Sequence, residues 1–168
     1  MKKILFSVML LFSMCLSANA QKIKWDGVSA VGWQVKRCYV KNDRCILDLL
    51  VTNDGSKDIS SFMRGHWLDK QYTIAYDDEG NNYEFYEMGE APDKHIIAGE
   101  TSINGQNGKS GSLRFELPAG LTVKARIVLN DFDEYATKLN LVKLMFGLEL
   151  ANGGYATLEI HDMPVTRD

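Results

Sequence analysis

Apolar and polar residues alternate along most of this chain. In residues 123–130, apolar side chains recur at every second position, with Lys124 and Arg126 between them. Residues 45–51 repeat the alternation, and residues 31–40 precede them across a short polar segment. A period of two is typical of a strand with one buried face. These segments therefore predict strands, with 31–40 as the hairpin partner of 45–51.

Turn residues separate further strand-like segments in the second half of the chain. The sequence Asp78-Glu79-Gly80-Asn81 predicts a hairpin turn, and Pro118-Ala119-Gly120 and Asn152-Gly153-Gly154 predict two more reversals. Strands are expected on both sides of each turn because their residues are rich in β-branched and aromatic side chains. The predicted segments are 71–77, 82–88, 112–117, 140–150 and 155–161.

One segment, residues 134–146, allows two interpretations. Tyr135, Leu139, Val142 and Phe146 recur at intervals of three and four residues, which is the spacing of a helix face. Short apolar stretches do not separate helix from strand by periodicity alone. Helix and strand therefore both stay open for this segment.

The first twenty residues have the pattern of a secretory signal peptide. Two lysines are followed by an apolar run from Ile4 to Leu16 and by the small residues of Ala18-Asn19-Ala20. This predicts cleavage before Gln21 and a protein that works in the periplasm or outside the cell. The apolar run is too short for a membrane span, and Met14 before Cys15 disfavours a lipid anchor.

Composition limits the partners that the mature protein can have. Loss of the two leader lysines changes the formal net charge from −3 to −5. The longest basic run is Lys36-Arg37, whereas nucleic acids and anionic membranes require a concentrated basic face. The sequence therefore predicts one domain over residues 21–168, with no nucleic-acid partner and no membrane span.

Cys38 and Cys45 are the two cysteines that remain after the leader is removed. They flank the turn signal Lys41-Asn42-Asp43, and folding back there is expected to bring them together. An even number of cysteines in an exported chain is typical of a disulfide. We therefore predict a structural Cys38–Cys45 disulfide, with buried free thiols as the alternative.

Three segments follow one another as in a group of bacterial secreted proteins. They are residues 47–56, residues 76–83 and residues 111–118, within a region of similarity that covers roughly residues 44–165. The chain resembles the telokin-like, immunoglobulin-like extracellular domains related to a mycobacterial immunoprotective secreted antigen. The resemblance implies an immunoglobulin-like fold with no assigned biochemical function. Together with the alternation, it predicts an all-β, antiparallel immunoglobulin-like sandwich of seven to nine strands.

Candidate chemistry is sparse. Residues 77–82 are rich in oxygen ligands for a cation such as calcium, but they lack the EF-hand spacing, and a solvated turn explains them more simply. His66, His95 and His161 have no neighbouring ligand at a metal-binding spacing, and no serine-nucleophile signature occurs. We therefore expect no metal, no cofactor and no catalytic residues.

Aromatic side chains provide the remaining signal for binding. We take the loop containing Arg64, His66 and Trp67 as the candidate binding site, because loops and exposed rings often contact ligands. The sequence predicts a secreted, non-catalytic binding module for an unknown protein or glycan outside the cytoplasm. Two alternatives stay open: a carbohydrate-binding module with an exposed aromatic face, and a small hydrolase that uses a histidine with Asp69 or Asp162.

Overall fold

In a computed structural model, the chain is a β-sandwich. The structure describes residues 22–65, 73–85, 101–108, 113–148 and 154–167, and these residues contain no helix. The predicted signal peptide, residues 1–20, lies outside the described residues. The strands are β1 (Lys22–Trp25), β2 (Val31–Lys41), β3 (Arg44–Asn53), β4 (Ile59–Arg64), β5 (Ile74–Asp77), β6 (Asn82–Glu84), β7 (Thr101–Ile103), β8 (Gln106–Gly108), β9 (Leu113–Leu117), β10 (Thr122–Leu129), β11 (Lys138–Leu148), β12 (Tyr155–Pro164) and β13 (Thr166–Arg167).

The all-β sandwich predicted from the sequence is confirmed. The described residues form thirteen strands, more than the expected seven to nine. The excess comes from short strands of two to four residues, such as β1, β8 and β13. Such strands are too short to show an alternating pattern, so the sequence alone does not separate them from loops.

The strands form two sheets. The first sheet has the order β1-β12-β11-β4-β9, with β5 also on β11 and β6 on β5. The second sheet has the order β13-β2-β3-β10-β7-β8. All these pairs are antiparallel except β13 with β2. The two sheets enclose one core, in which the inward side chains of β3 and β10 share a cluster with those of β11 and β12.

Strand β11 decides the open interpretation of residues 134–146 in favour of a strand from Lys138 onward, while residues 134–137 are irregular. It pairs with β12 along one edge, while its other edge pairs first with β5 and then with β4. The register against β5 shifts between Leu139 and Leu141, so Leu139 and Val142 are both buried although they are three residues apart. A bulge of this kind inserts one residue into the period of two. The bulge therefore produced the helix-like interval in the sequence.

Cys38 and Cys45 would lie opposite each other if the β2–β3 turn were centred between residues 41 and 42. The turn is centred one residue later, between Asn42 and Asp43. Asn42 and Asp43 both have positive φ, at 51° and 57°, as the central residues of a two-residue type I′ turn do. The register then pairs Cys45 with Val40, and Cys38 lies diagonally from Cys45. Diagonal neighbours are farther apart than directly opposite ones, at about 7–8 Å.

As a result, the predicted disulfide is not formed in this structure. Both residues are buried thiols, with their Sγ atoms 3.5 Å apart, compared with about 2.05 Å in an S–S bond. The hydrogen bond with Cys45 and the burial of the side chain raise the pKa of the Cys38 thiol. The two sulfur atoms are therefore in contact without an S–S bond.

Candidate functional site

Arg64 is the one member of the predicted binding loop that the structure describes. It ends β4, and its guanidinium carbon lies 5.5 Å from the centre of the Phe62 ring and 5.6 Å from that of Tyr155. Both distances are in the range of cation–π contacts. His66 and Trp67 lie outside the described residues, so the structure does not bring the predicted trio together.

Phe62, Gly147 and Tyr155 lie side by side in one row across the first sheet. A Cβ atom at Gly147 would lie 2.1 Å from the nearest Phe62 ring atom, so the ring covers the glycine. Tyr155 is 56% exposed. This row and Arg64 form a small surface of rings and guanidinium, which we call the aromatic row.

At the acidic turn after β5, the Asp77 carboxylate is engaged within the protein. The Asp77 side chain, in a residue only 1% exposed, accepts hydrogen bonds from the backbone amides of Glu79 and Asn81 and from the Tyr83 hydroxyl. Burial, with the hydrogen bond to Asp77, raises the pKa of Tyr83. Because hydrogen-bond donors point at these oxygens, the geometry is that of a capped hairpin turn.

The outer face of the second sheet carries a group of charged side chains that the sequence analysis did not identify. We call Lys36, Arg37, Lys124 and Arg126, with Asp48 among them, the cationic face. Its residues come from β2, β3 and β10, in which Arg37, Asp48 and Arg126 are direct cross-strand neighbours.

A bulge in β2 places two consecutive cations on this face. Val35 pairs with Leu49 and Arg37 pairs with Asp48, so Lys36 is the extra residue between them. In a regular strand, consecutive side chains point to opposite faces, whereas a bulge re-aims one of them. Both Lys36 and Arg37 are therefore exposed, and Cys38 returns to the core.

Asp48 holds both guanidinium groups. Arg37 Nε donates to Asp48 Oδ2 over 2.7 Å, and Arg126 Nε donates to Oδ1 over 2.6 Å. Arg126 Nη2 also donates to Oδ2, at 3.1 Å. The ring of Tyr39 lies 4.5 Å from the guanidinium carbon of Arg37 and restricts it from another side.

The protonation equilibria of these three side chains follow from the contacts. Burial alone would raise the pKa of Asp48, but hydrogen bonds from Arg126 and Arg37 outweigh it and lower the pKa. The same hydrogen bonds raise the pKa values of Arg37 and Arg126. The cluster is therefore one anion between two permanent cations at every pH at which the protein would work.

An open groove of about 510 Å³ lies over this face. Leu49 and Leu50 of β3 contribute to its lining, and Ser102 and Gly105 line it from β7 and the turn after it. Among the described residues, Asp48 is the one acidic side chain in the lining, together with the four cations. A groove of this composition can hold an anion over a partly apolar surface.

His161 is the only histidine in the described part of the chain. Its Nε2 lies 3.1 Å from Glu159 Oε2, and Lys24 Nζ lies 3.5 Å from the same oxygen. Asp162, which the sequence analysis considered as a catalytic partner, instead lies 3.7 Å from Lys138 Nζ. Asp69 lies outside the described residues.

Comparison of the sequence with protein-family models and with curated proteins gives no match. The resemblance to telokin-like secreted domains therefore remains a prediction from the sequence. No helix of the length and apolar character of a membrane span occurs in the part of the chain that the structure describes.

Proposed function

We propose that this protein is a secreted, non-catalytic binding module that uses the cationic face to bind an acidic ligand outside the cytoplasm. The pattern of the leader supports export, and the sequence resemblance supports an extracellular immunoglobulin-like module. The observation that carries the proposed ligand class is the gathering of four cations around one carboxylate.

The charge balance of the cationic face supports ligand binding more than a purely structural role. One carboxylate needs one cation to form an ion pair, and exposed ion pairs contribute only about 0–1 kcal/mol to stability. Here Asp48 is shared by Arg37 and Arg126, while Lys36 and Lys124 add further positive charge at the groove. The uncompensated charge costs folding free energy through mutual repulsion, and an acidic ligand would offset that cost.

The location of the groove also supports recognition by side chains. β3 and β10, which carry Asp48, Lys124 and Arg126, pair with a neighbouring strand on both sides. A ligand over these two strands would therefore meet side chains and not a free strand edge.

The proposal is tested with the purified protein and a panel of soluble polyanions: a sulfated glycan, a polyuronate, polyphosphate and an acidic polypeptide. We expect at least one to bind with micromolar affinity that weakens as salt is added, because salt screens exposed charges. A Lys36→Gln/Lys124→Gln double variant should bind about tenfold more weakly. Lys22→Gln, on the other sheet, is the matched control and should bind normally.

Binding that is unchanged in the double variant would contradict the proposed surface. Absence of binding to every polyanion would contradict an acidic ligand altogether. Folding of each variant is checked by its unfolding midpoint, so that loss of binding is not confused with loss of structure.

The aromatic row favours one alternative, a carbohydrate-binding module that uses the first sheet. Exposed rings stack on the apolar faces of sugars, and Tyr155 is exposed beside Arg64 and Phe62. A glycan that binds normally to the double lysine variant but loses affinity with Tyr155→Ala would favour this alternative.

Our proposal of export includes oxidation of the Cys38–Cys45 pair. The two thiols would give up two protons and two electrons to the disulfide of an exported oxidoreductase, which becomes a dithiol as the S–S bond forms. The 3.5 Å contact between the sulfur atoms supports this step, and because the two cysteines are diagonal neighbours, formation of the bond also requires a shift of the hairpin backbone.

A further inference from the structure

Asp48 positions two guanidinium groups beside each other on the cationic face. Its Oδ2 atom accepts hydrogen bonds from both Arg37 Nε and Arg126 Nη2, at 2.7 and 3.1 Å. Two donors on one oxygen atom hold their planar groups close together. Such a shared oxygen fixes the relative position of the two arginines far better than exposed side chains alone would.

Several donors of these groups stay available for a ligand. Within the described part of the chain, no hydrogen bond uses Arg126 Nη1 or either Nη atom of Arg37. Ser102 is the cross-strand neighbour of Arg126 and lines the same groove, so its hydroxyl group is a further donor. Lys124 lies two residues from Arg126 on β10, where both side chains point outward.

Building on the proposed function, we propose that the cationic face recognises a phosphate monoester, with the Arg37 and Arg126 guanidinium groups and the Ser102 hydroxyl as donors. Arginine favours phosphate because its planar fork matches two oxygen atoms of the anion. Asp48 is a positioning residue, since it touches the guanidinium groups and not the ligand.

Charge favours a phosphate monoester over a single carboxylate. The four cations and Asp48 give the face a formal charge of about +3. A phosphate monoester carries about −1.5 to −2 charges at neutral pH and presents three oxygen acceptors. A carboxylate carries one charge and two oxygen atoms in one plane, which a single arginine satisfies.

The groove also limits what can be attached to the phosphate. Leu50 is half-buried at its floor, and the groove is open at the surface. A sugar or an apolar group can lie over Leu50 while its phosphate contacts the arginines. Phosphorylated sugars and lipid headgroups share this chemistry, and the test separates these two sources.

The experiment measures binding of inorganic phosphate, glucose 6-phosphate and glucuronate to the purified protein by calorimetry, with phosphatidic acid vesicles as a further arm. We expect glucose 6-phosphate to bind at least about tenfold more tightly than glucuronate. Arg37→Gln and Arg126→Gln should each weaken it by about tenfold, the effect of losing about 1.4 kcal/mol. Lys22→Gln is the control for a change of one positive charge elsewhere.

The Asp48→Asn variant tests whether Asp48 positions the two arginines for binding or whether the face attracts phosphate by its net charge alone. This variant makes the face more positive, so a diffuse electrostatic surface would bind phosphate more tightly. A face whose arginines are positioned by Asp48 would bind it about three- to tenfold more weakly. Tighter binding by Asp48→Asn would overturn the proposed geometry.

The outcomes also distinguish this inference from the proposed function. If a polyuronate binds through the cationic face and the phosphate monoester does not, the phosphate inference fails and the binding module stands. If no acidic ligand binds, both fail. Binding to both glucose 6-phosphate and vesicles supports recognition of the phosphate itself, whereas binding to vesicles alone assigns the site to a lipid headgroup.

Discussion

The Asp78 carboxylate shows how a single side chain joins two distant parts of the chain. It accepts hydrogen bonds from Thr137 Oγ1 and from the backbone amides of Thr137 and Lys138, where β11 begins. The Thr137 hydroxyl, followed by these amides, lowers the pKa of Asp78 to about 2. The sequence predicts Asp78 as a turn residue. Its side chain therefore also fixes the start of β11, the longest described strand of the first sheet.

We predict that Asp78→Asn lowers the free energy of unfolding at pH 7 by about 1–2 kcal/mol, because it loses charge-assisted hydrogen bonds. The folded-state pKa lies below the ordinary value of 3.8, so this stabilisation is present above about pH 4. It is lost as the pH falls from about 4 to about 2. Urea unfolding of both proteins across this range should show their difference shrinking, whereas a constant difference would contradict the assignment.

The cysteine pair supplies a second prediction at this scale. If the protein is exported as proposed, the protein recovered from outside the cytoplasm should be lighter by two hydrogens than after reduction. A thiol reagent should then label neither cysteine in the denatured, unreduced protein. Labelling of both would show that the pair stays as thiols, and Cys38→Ser/Cys45→Ser is the control for background labelling.

At the scale of strands, irregular pairing explains two features that the alternation of apolar and polar residues did not predict. The bulge in β2 exposes both Lys36 and Arg37, and the register shift in β11 produces a helix-like interval. The long strands β3, β10 and β12 were readable because they have no such shift and bury every second residue over much of their length. A bulge depends on how a strand pairs with its partner. The sequence of one strand therefore does not show where a bulge occurs.

Gly147 gives the prediction that belongs to this scale. Gly147→Ala should lower the free energy of unfolding by about 1–3 kcal/mol, because the new methyl group overlaps the Phe62 ring. Calorimetric or urea unfolding measures the change. In a Phe62→Ala background, the same substitution should cost much less.

Gly32→Ala is the matched control for this substitution. Gly32 is also a strand glycine, but a Cβ atom there has no atom within 4 Å. We expect no loss of stability from that change. An equal loss at both glycines would show that the ring contact is not the cause.

At the scale of the whole molecule, Asn53 joins the two sheets. It ends β3 in the second sheet and is fully buried, and its Nδ2 donates to the Leu117 carbonyl of β9 in the first sheet and to the Lys57 carbonyl. Its Oδ1 accepts from the Gly55 amide. One amide therefore fixes the end of a strand, the following turn and the opposite sheet.

We predict that Asn53→Ala lowers the free energy of unfolding by about 2–3 kcal/mol, because it removes a buried hydrogen bond to the Leu117 carbonyl and two partly buried ones to Lys57 and Gly55. The urea midpoint measures the loss. Thr52→Val removes the exposed contact between the Thr52 and Thr122 hydroxyl groups and should cost less than about 1 kcal/mol. Similar losses in both variants would contradict the bridging role of Asn53.

The sequence by itself determined the all-β class and most of the long strands, because side chains in a strand alternate between core and solvent whatever the partner strand is. Only the tertiary structure decided the cationic face. Arg37, Asp48 and Arg126 are far apart in sequence and become neighbours through the registers of two strand pairs. The β2–β3 register depends on a turn at Asn42 and Asp43 and on a bulge at Lys36, and the β3–β10 register joins Asp48 to Arg126, 78 positions away, so both are settled by packing between strands.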